Sequence, residues 1–80
     1  MILNCAIVDD EPLALSLLES YVNKTPFLNL TGKYSSAMQA MKELPDMKVN
    51  LLFLDIQMPE LNGLEFSGMV DSQTRIVFTT

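Results

Sequence analysis

Leu51-Leu52-Phe53-Leu54-Asp55-Ile56-Gln57-Met58-Pro59 is the stretch whose reading decides the fold. Its opening run of large apolar residues is the most apolar in the chain and predicts a central strand covered on both faces. A carboxylate then closes the run. Burying Asp55 there is costly unless it is paired or bound to a cation. Read locally, the same residue is a loop aspartate just past a strand. Pro59 and the Asn62-Gly63 pair mark the loop that follows.

A second acidic cluster ends a second apolar run, in Ile7-Val8-Asp9-Asp10-Glu11-Pro12. Ile2 to Val8 is nearly continuous in apolar residues, interrupted by Asn4, and predicts another strand covered on both faces. Taken alone, acidic residues ahead of Pro12 are a helix-start signal. Taken with Asp55, they suggest more. If the two runs are neighbouring parallel strands, Asp9, Asp10 and Asp55 converge at one edge of a sheet. Three crowded carboxylates repel unless a cation sits among them.

Outward from these runs, strand and helix patterns alternate. After Pro12, Leu13, Leu17 and Tyr21 share one side of a helix. Ala14, Leu18 and Val22 extend this apolar stripe of the kind that faces a core. Pro26 closes the segment. Leu28 to Tyr34 alternates weakly, contains Gly32 and reads as an edge strand. Ser36 fits an N-cap, with Ala37, Ala40, Met41 and Leu44 at helical spacing and Pro45 as the stop. Gly63 to about Val70 reads as a short helix softened by Gly68, and Arg75 to Thr80 as a strand. The order β-α-β-α-β-α-β predicts a parallel α/β sheet with right-handed crossovers. Ligands of such sheets bind beyond the carboxyl ends of the strands. Asp9, Asp10, Asp55 and Thr80 all fall there.

Composition narrows the field. Eighty residues make one small domain, burying only ~60–65% of the unfolded surface, and 49% apolar content is ample for a core. The net charge is −5, and the five basic residues are spread along the chain, so direct nucleic-acid binding by this segment is not expected. Cys5 is the only cysteine; it reads as a small buried hydrophobe in an intracellular, cytoplasmic chain. The apolar runs are too short to span a bilayer, and no basic region precedes the first, so neither membrane span nor signal peptide is expected. Histidine is absent, which removes histidine triads, histidine zinc sites and histidine bases. Met38, Met41, Met47, Met58 and Met69 read as core and loop filling.

The chemistry left is that of carboxylates and hydroxyls. Magnesium takes one or two carboxylates plus phosphate oxygens. An aspartate pair and a third aspartate from another strand supply that set. One carboxylate could then act as nucleophile and carry a phosphoryl group as an acyl phosphate. Thr80 could place its hydroxyl on a phosphate oxygen, although alone it is an ordinary β-former.

In Val8-Asp9-Asp10-Glu11, in Leu54-Asp55-Ile56-Gln57-Met58-Pro59 with Asn62-Gly63, and in Phe78-Thr79-Thr80, the chain resembles the receiver domain of bacterial two-component response regulators. The resemblance runs over essentially all 80 residues. It implies a flavodoxin-like, doubly wound parallel sheet in strand order 2-1-3-4. It implies that Asp55 is the phosphoacceptor and that Asp9 and Asp10 form the acidic pair, with Asp10 ahead of Asp9 as direct metal ligand. The backbone carbonyl of Gln57 would complete the protein's share of the Mg2+ shell. Thr80 would be the switch hydroxyl, ranked ahead of Thr79. A sensor histidine kinase would donate the phosphoryl group. The wording around Asp55 and the Phe-Thr-Thr ending look most like receivers joined to a LytTR-type DNA-binding domain.

A receiver of this family has five strands and five helices. Residues 1–80 therefore read as the N-terminal part of a receiver domain, without the family lysine, the last strand, the last two helices and the output domain. An apolar fourth strand left at the edge would promote self-association. A metal-dependent phosphohydrolase with an aspartate nucleophile is the alternative, although such enzymes usually carry an Asp-x-Asp pair where Asp9 and Asp10 are adjacent. A receiver-like binding module that is not phosphorylated is a third reading, and the retained acidic triad argues against it.

Overall fold

The computed structural model describes residues 1–44, 47–55, 68, 70 and 72–79. Strand β1 (Leu3–Val8) leads into helix α1 (Pro12–Asn23), and strand β2 (Leu28–Tyr34) into helix α2 (Ala37–Glu43). Strands β3 (Leu51–Asp55) and β4 (Arg75–Thr79) follow. The expected helix from Gly63 to about Val70, the Pro45 stop, the Pro59 and Asn62-Gly63 loop, Met58 and Met69 all fall wholly or mainly outside the described residues.

The four strands form one parallel sheet in the order β2-β1-β3-β4. This is the doubly wound order the sequence predicts, with β1 and β3 at the centre and β2 at one edge. The interior strand β1 is covered on both sides, and Cys5, Ala6, Ile7 and Val8 are all fully buried. Alternate residues serve opposite cores. Ala6, Val8, Leu52 and Leu54 pack with Ala37, Ala40 and Leu44 of α2 and its end. Cys5 and Ile7 pack with Leu15 and Val22 of α1, joined by Leu18, Leu51 and Phe53. A helix therefore lies on each face of the sheet.

The packing face of α1 keeps Leu18 and Val22 of the expected stripe but not Leu13, Leu17 and Tyr21. Leu15 and Val22 are buried and Leu18 packs beside them, whereas Leu13, Leu17 and Tyr21 are 81%, 54% and 57% exposed. The helix is apolar around most of its circumference, so spacing alone fits two faces. Contact with Cys5 and Ile7 selects the one centred on Leu15, Leu18 and Val22. Among the methionines, Met47 packs against the α2 core, but Met38 and Met41 face solvent instead of filling it. Ser36 caps α2 as expected, its Oγ accepting from Gln39 N at 3.2 Å.

Strand β2 carries an irregularity. Its register against β1 steps from Cys5↔Leu30 to Ala6↔Gly32, leaving Thr31 as the extra residue of a bulge. The Thr31 hydroxyl donates to Cys5 O at 3.0 Å, which ties the bulge to β1. Just past it, the Tyr34 ring lies over Gly32. A Cβ at position 32 would come 2.5 Å from Tyr34 Oη, so only glycine fits there without displacing the ring.

At the end of the sheet remote from the acidic residues, Asn4 and Asn50 lash the strand starts together. Asn4 N donates to Asn50 Oδ1 at 2.8 Å, Asn50 N to Asn4 O at 2.7 Å, and Arg75 N to Asn50 O at 2.9 Å. Asn4, the polar interruption of the first run, thus works as a cross-strand tie.

Candidate functional site

Asp9 follows β1 and Asp55 ends β3, and these strands are neighbours in parallel register, Val8 opposite Leu54. The pairing brings both aspartates to the carboxyl edge of the sheet. Asp10 joins them. One carboxylate oxygen from each of Asp9, Asp10 and Asp55 lies within 4.8 Å of the others. Asp9 and Asp55 are buried, at 5% and 8% exposure, and Asp10 is the most open of the three.

The turn after β1 explains how adjacent acidic residues divide their work. Asp9 N donates to Tyr34 O at 3.1 Å, which extends the β1–β2 ladder one residue past the strand. Asp9 Oδ1 then accepts from Glu11 N at 2.9 Å, a tight side-chain-to-backbone turn. Glu11 is the N-cap of α1, and its carboxylate accepts from Leu13 N at 3.3 Å. Pro12 occupies the first turn. The helix-start signal and the convergence of carboxylates are both present, carried by different residues. Glu11 caps, while Asp9 and Asp10 join Asp55.

The electrostatics bear the mark of crowding. The carboxyl of Asp9 is raised above its ordinary value, first by burial, then by the negative charges of Asp55 and Asp10 and a hydrogen bond shared with Asp55. The Glu11 backbone N–H opposes the shift. An all-oxygen set of three carboxylates at this spacing suits a hard divalent cation. Bringing these groups together without a counter-charge is unfavourable, so the donor set fits magnesium.

Gln57 and Thr80, the remaining site residues expected from the sequence, lie outside the described residues. Next to the cluster, Thr79 ends the described part of β4 in register with Asp55. Its hydroxyl oxygen is closed off from solvent and has no hydrogen-bond partner among the described residues. The parallel register places positions 53 and 55 of β3 and 77 and 79 of β4 on one face, and of this the sequence carries only the alternation within each strand.

Residues 5–80 match the family model described as the response regulator receiver domain. The chain is 41% identical over 76 residues to the transcriptional regulatory protein BtsR of Escherichia coli K12, covering 92% of this chain and 32% of that protein. It is 35% identical over 80 residues to an uncharacterized response regulatory protein of Vibrio vulnificus, covering 98% of this chain and 33% of that one. The chain thus spans about a third of the length of the curated relatives it matches. Among solved structures, the response regulator domain of Thermotoga maritima CheB superposes with a TM-score of 0.86 at 22% identity, over 98% of this chain and 60% of that one. The isolated REC domain of RcsB from Salmonella enterica serovar Typhimurium gives 0.89 at 19% identity, over 98% and 61%. At these identities the structural likeness shows the flavodoxin-like fold.

Proposed function

The chain belongs to the response regulator receiver domain family, a family of signalling switches, and on that premise we propose that Asp55 is its phosphoacceptor. The observation that carries the proposal is the convergence of Asp9, Asp10 and Asp55 within 4.8 Å at the carboxyl edge of the sheet. Asp9, Asp10, Asp55 and the backbone carbonyl of Gln57 would hold Mg2+. When bound, magnesium offsets the negative charge of the entering phosphoryl group.

An Asp55 carboxylate oxygen attacks phosphorus, and the bond from phosphorus to the donor breaks, its electron pair leaving with the donor. From a sensor histidine kinase that bond is P–N, and the imidazole keeps the pair. Hydrolysis of the acyl phosphate by water returns Asp55 and ends the signal. Thr80 serves as the switch hydroxyl that follows the phosphoryl group. The added charge biases a two-state surface that an output domain reads. Residues 1–80 form the N-terminal part of the receiver, acting in the cytoplasm, and the output is a DNA-binding domain of the LytTR type that regulates transcription. No described helix is long and apolar enough to cross a membrane.

Incubation with acetyl phosphate and magnesium, followed by mapping of the acyl phosphate, tests the assignment. We expect one phosphoryl group per chain, on Asp55, in the intact protein that carries these residues. An Asp55→Asn variant labelled to the same extent would sink the proposal, and continuous turnover of phosphate esters would point to a phosphohydrolase.

A further inference from the structure

Thr79 carries an unmet hydrogen-bonding group beside the acidic cluster. It pairs with Asp55 across β3 and β4 in parallel register. Residues so paired project from the same face of a sheet. Phe53 belongs to the α1 side, whereas Leu54 and Ile76 belong to the α2 side. By parity Thr79 stands on the side of Phe53 and Asp55. Its Oγ1 is shut off from water and finds no hydrogen-bond partner among the described residues. Buried hydroxyls in folded proteins nearly always find a partner, and an unmet one destabilises the fold. Valine would fill almost the same shape without that penalty, so packing does not explain a hydroxyl here.

We propose that the Thr79 hydroxyl donates a hydrogen bond to the Asp55 carboxyl group during phosphoryl uptake, which makes Thr79 a positioning residue. The inference rests on Asp55 being the phosphoacceptor. Thr79 acts through Asp55. A hydrogen bond to one carboxyl oxygen leaves the other turned toward the incoming phosphorus, so the nucleophile is oriented before it reacts. Thr80 keeps its separate role.

The test compares the parent chain, Thr79→Val and Thr79→Ser in magnesium with acetyl phosphate at saturation. The maximal rate of labelling and the thermal midpoint are both read. Thr79→Val is expected to label roughly tenfold more slowly, the factor for losing one hydrogen bond to a charged group, while its thermal midpoint is equal to or above the parent's. Thr79→Ser, which keeps the hydroxyl, should stay within about threefold of the parent rate. A purely structural Thr79 would move the midpoint alone, and labelling of Thr79→Val at the parent rate overturns the inference. If valine prevents folding, alanine against serine decides: a faster serine variant supports the hydrogen bond, and equal rates overturn it. A parent chain that takes no label overturns the phosphoacceptor assignment and this inference with it, an outcome distinct from equal labelling.

Discussion

The buried carboxyl groups of Asp9 and Asp55 meet across the junction of β1 and β3, each within reach of the other's negative charge. Asp10 adds a third negative charge at the open side. The fold therefore holds together groups that repel one another whenever all are ionised and no cation is present, which makes the site an electrostatic load on the metal-free protein.

Relieving that load should stabilise the metal-free chain. Asp10→Asn removes one charge and keeps the shape of the side chain. We expect its unfolding free energy without metal to exceed the parent's by about 1 kcal/mol, the scale of one screened charge pair at close range. Its magnesium affinity should fall roughly tenfold or more with the loss of a carboxylate ligand. Thermal shift with and without magnesium reads both effects, since bound metal adds stability according to RT ln(1 + [Mg]/Kd). The two melting curves should change order as metal is added. A variant no more stable than the parent without metal contradicts the crowding argument.

The raised carboxyl of Asp9 sets a pH dependence of definite sign. Its causes are burial first, then the charges of Asp55 and Asp10. The folded chain therefore holds this proton at pH values where the unfolded chain, with its ordinary value of about 3.9, has lost it. Stability from this group is full below that ordinary value and is lost as pH rises through the raised one. Asp9→Asn has no proton to lose there and keeps an oxygen to accept from Glu11 N. In metal-free buffer, the thermal midpoint of the parent minus that of Asp9→Asn should fall with rising pH across this window. A flat difference would show that Asp9 titrates alike in both states.

The site was legible because its logic is simple. An apolar run that ends in aspartate, found twice, implies two strands delivering carboxylates to one edge, and β1 and β3 do so through Asp9 and Asp55. What was hidden turned on choices that leave little trace in composition. The apolar residues of α1 offer two faces, and Ile7 and Cys5, remote in sequence, choose between them. The bulge at Thr31 is a single extra residue, marked only by the glycine beside it. Thr79 reads as a β-former until its register with Asp55 is known.

The Gly32–Tyr34 contact predicts a local stability effect far from the chemistry. In Gly32→Ala the new Cβ would meet Tyr34 Oη at 2.5 Å and ring carbons at 2.8 Å. The buried ring must turn, which disturbs the α2 core and strains the Tyr34 hydroxyl bond to Met47 Sδ at 3.1 Å. Overpacking of this kind costs about 1–3 kcal/mol, which lowers the melting temperature of a domain this small by several degrees or more. In a Tyr34→Phe background the nearest clashing atom is gone, so the same glycine substitution should cost less. Additive losses in the double-mutant cycle would place the strain elsewhere.

Strand β4 predicts association between copies of this chain. Val77 and Phe78, neighbours on the strand and therefore on opposite faces, are both about two-fifths exposed. Adjacent apolar side chains open to solvent on a strand favour pairing with another chain. Sedimentation equilibrium of the 80-residue chain should give a weight-average mass that rises with concentration. Phe78→Lys places a charge on that strand, a substitution that blocks edge pairing, and should hold the chain monomeric over the same range. The charge is added at an exposed position, so the far-ultraviolet spectrum of the variant should match the parent's. A parent that stays monomeric throughout the series, or a variant that associates as strongly as the parent, removes β4 as the associating surface.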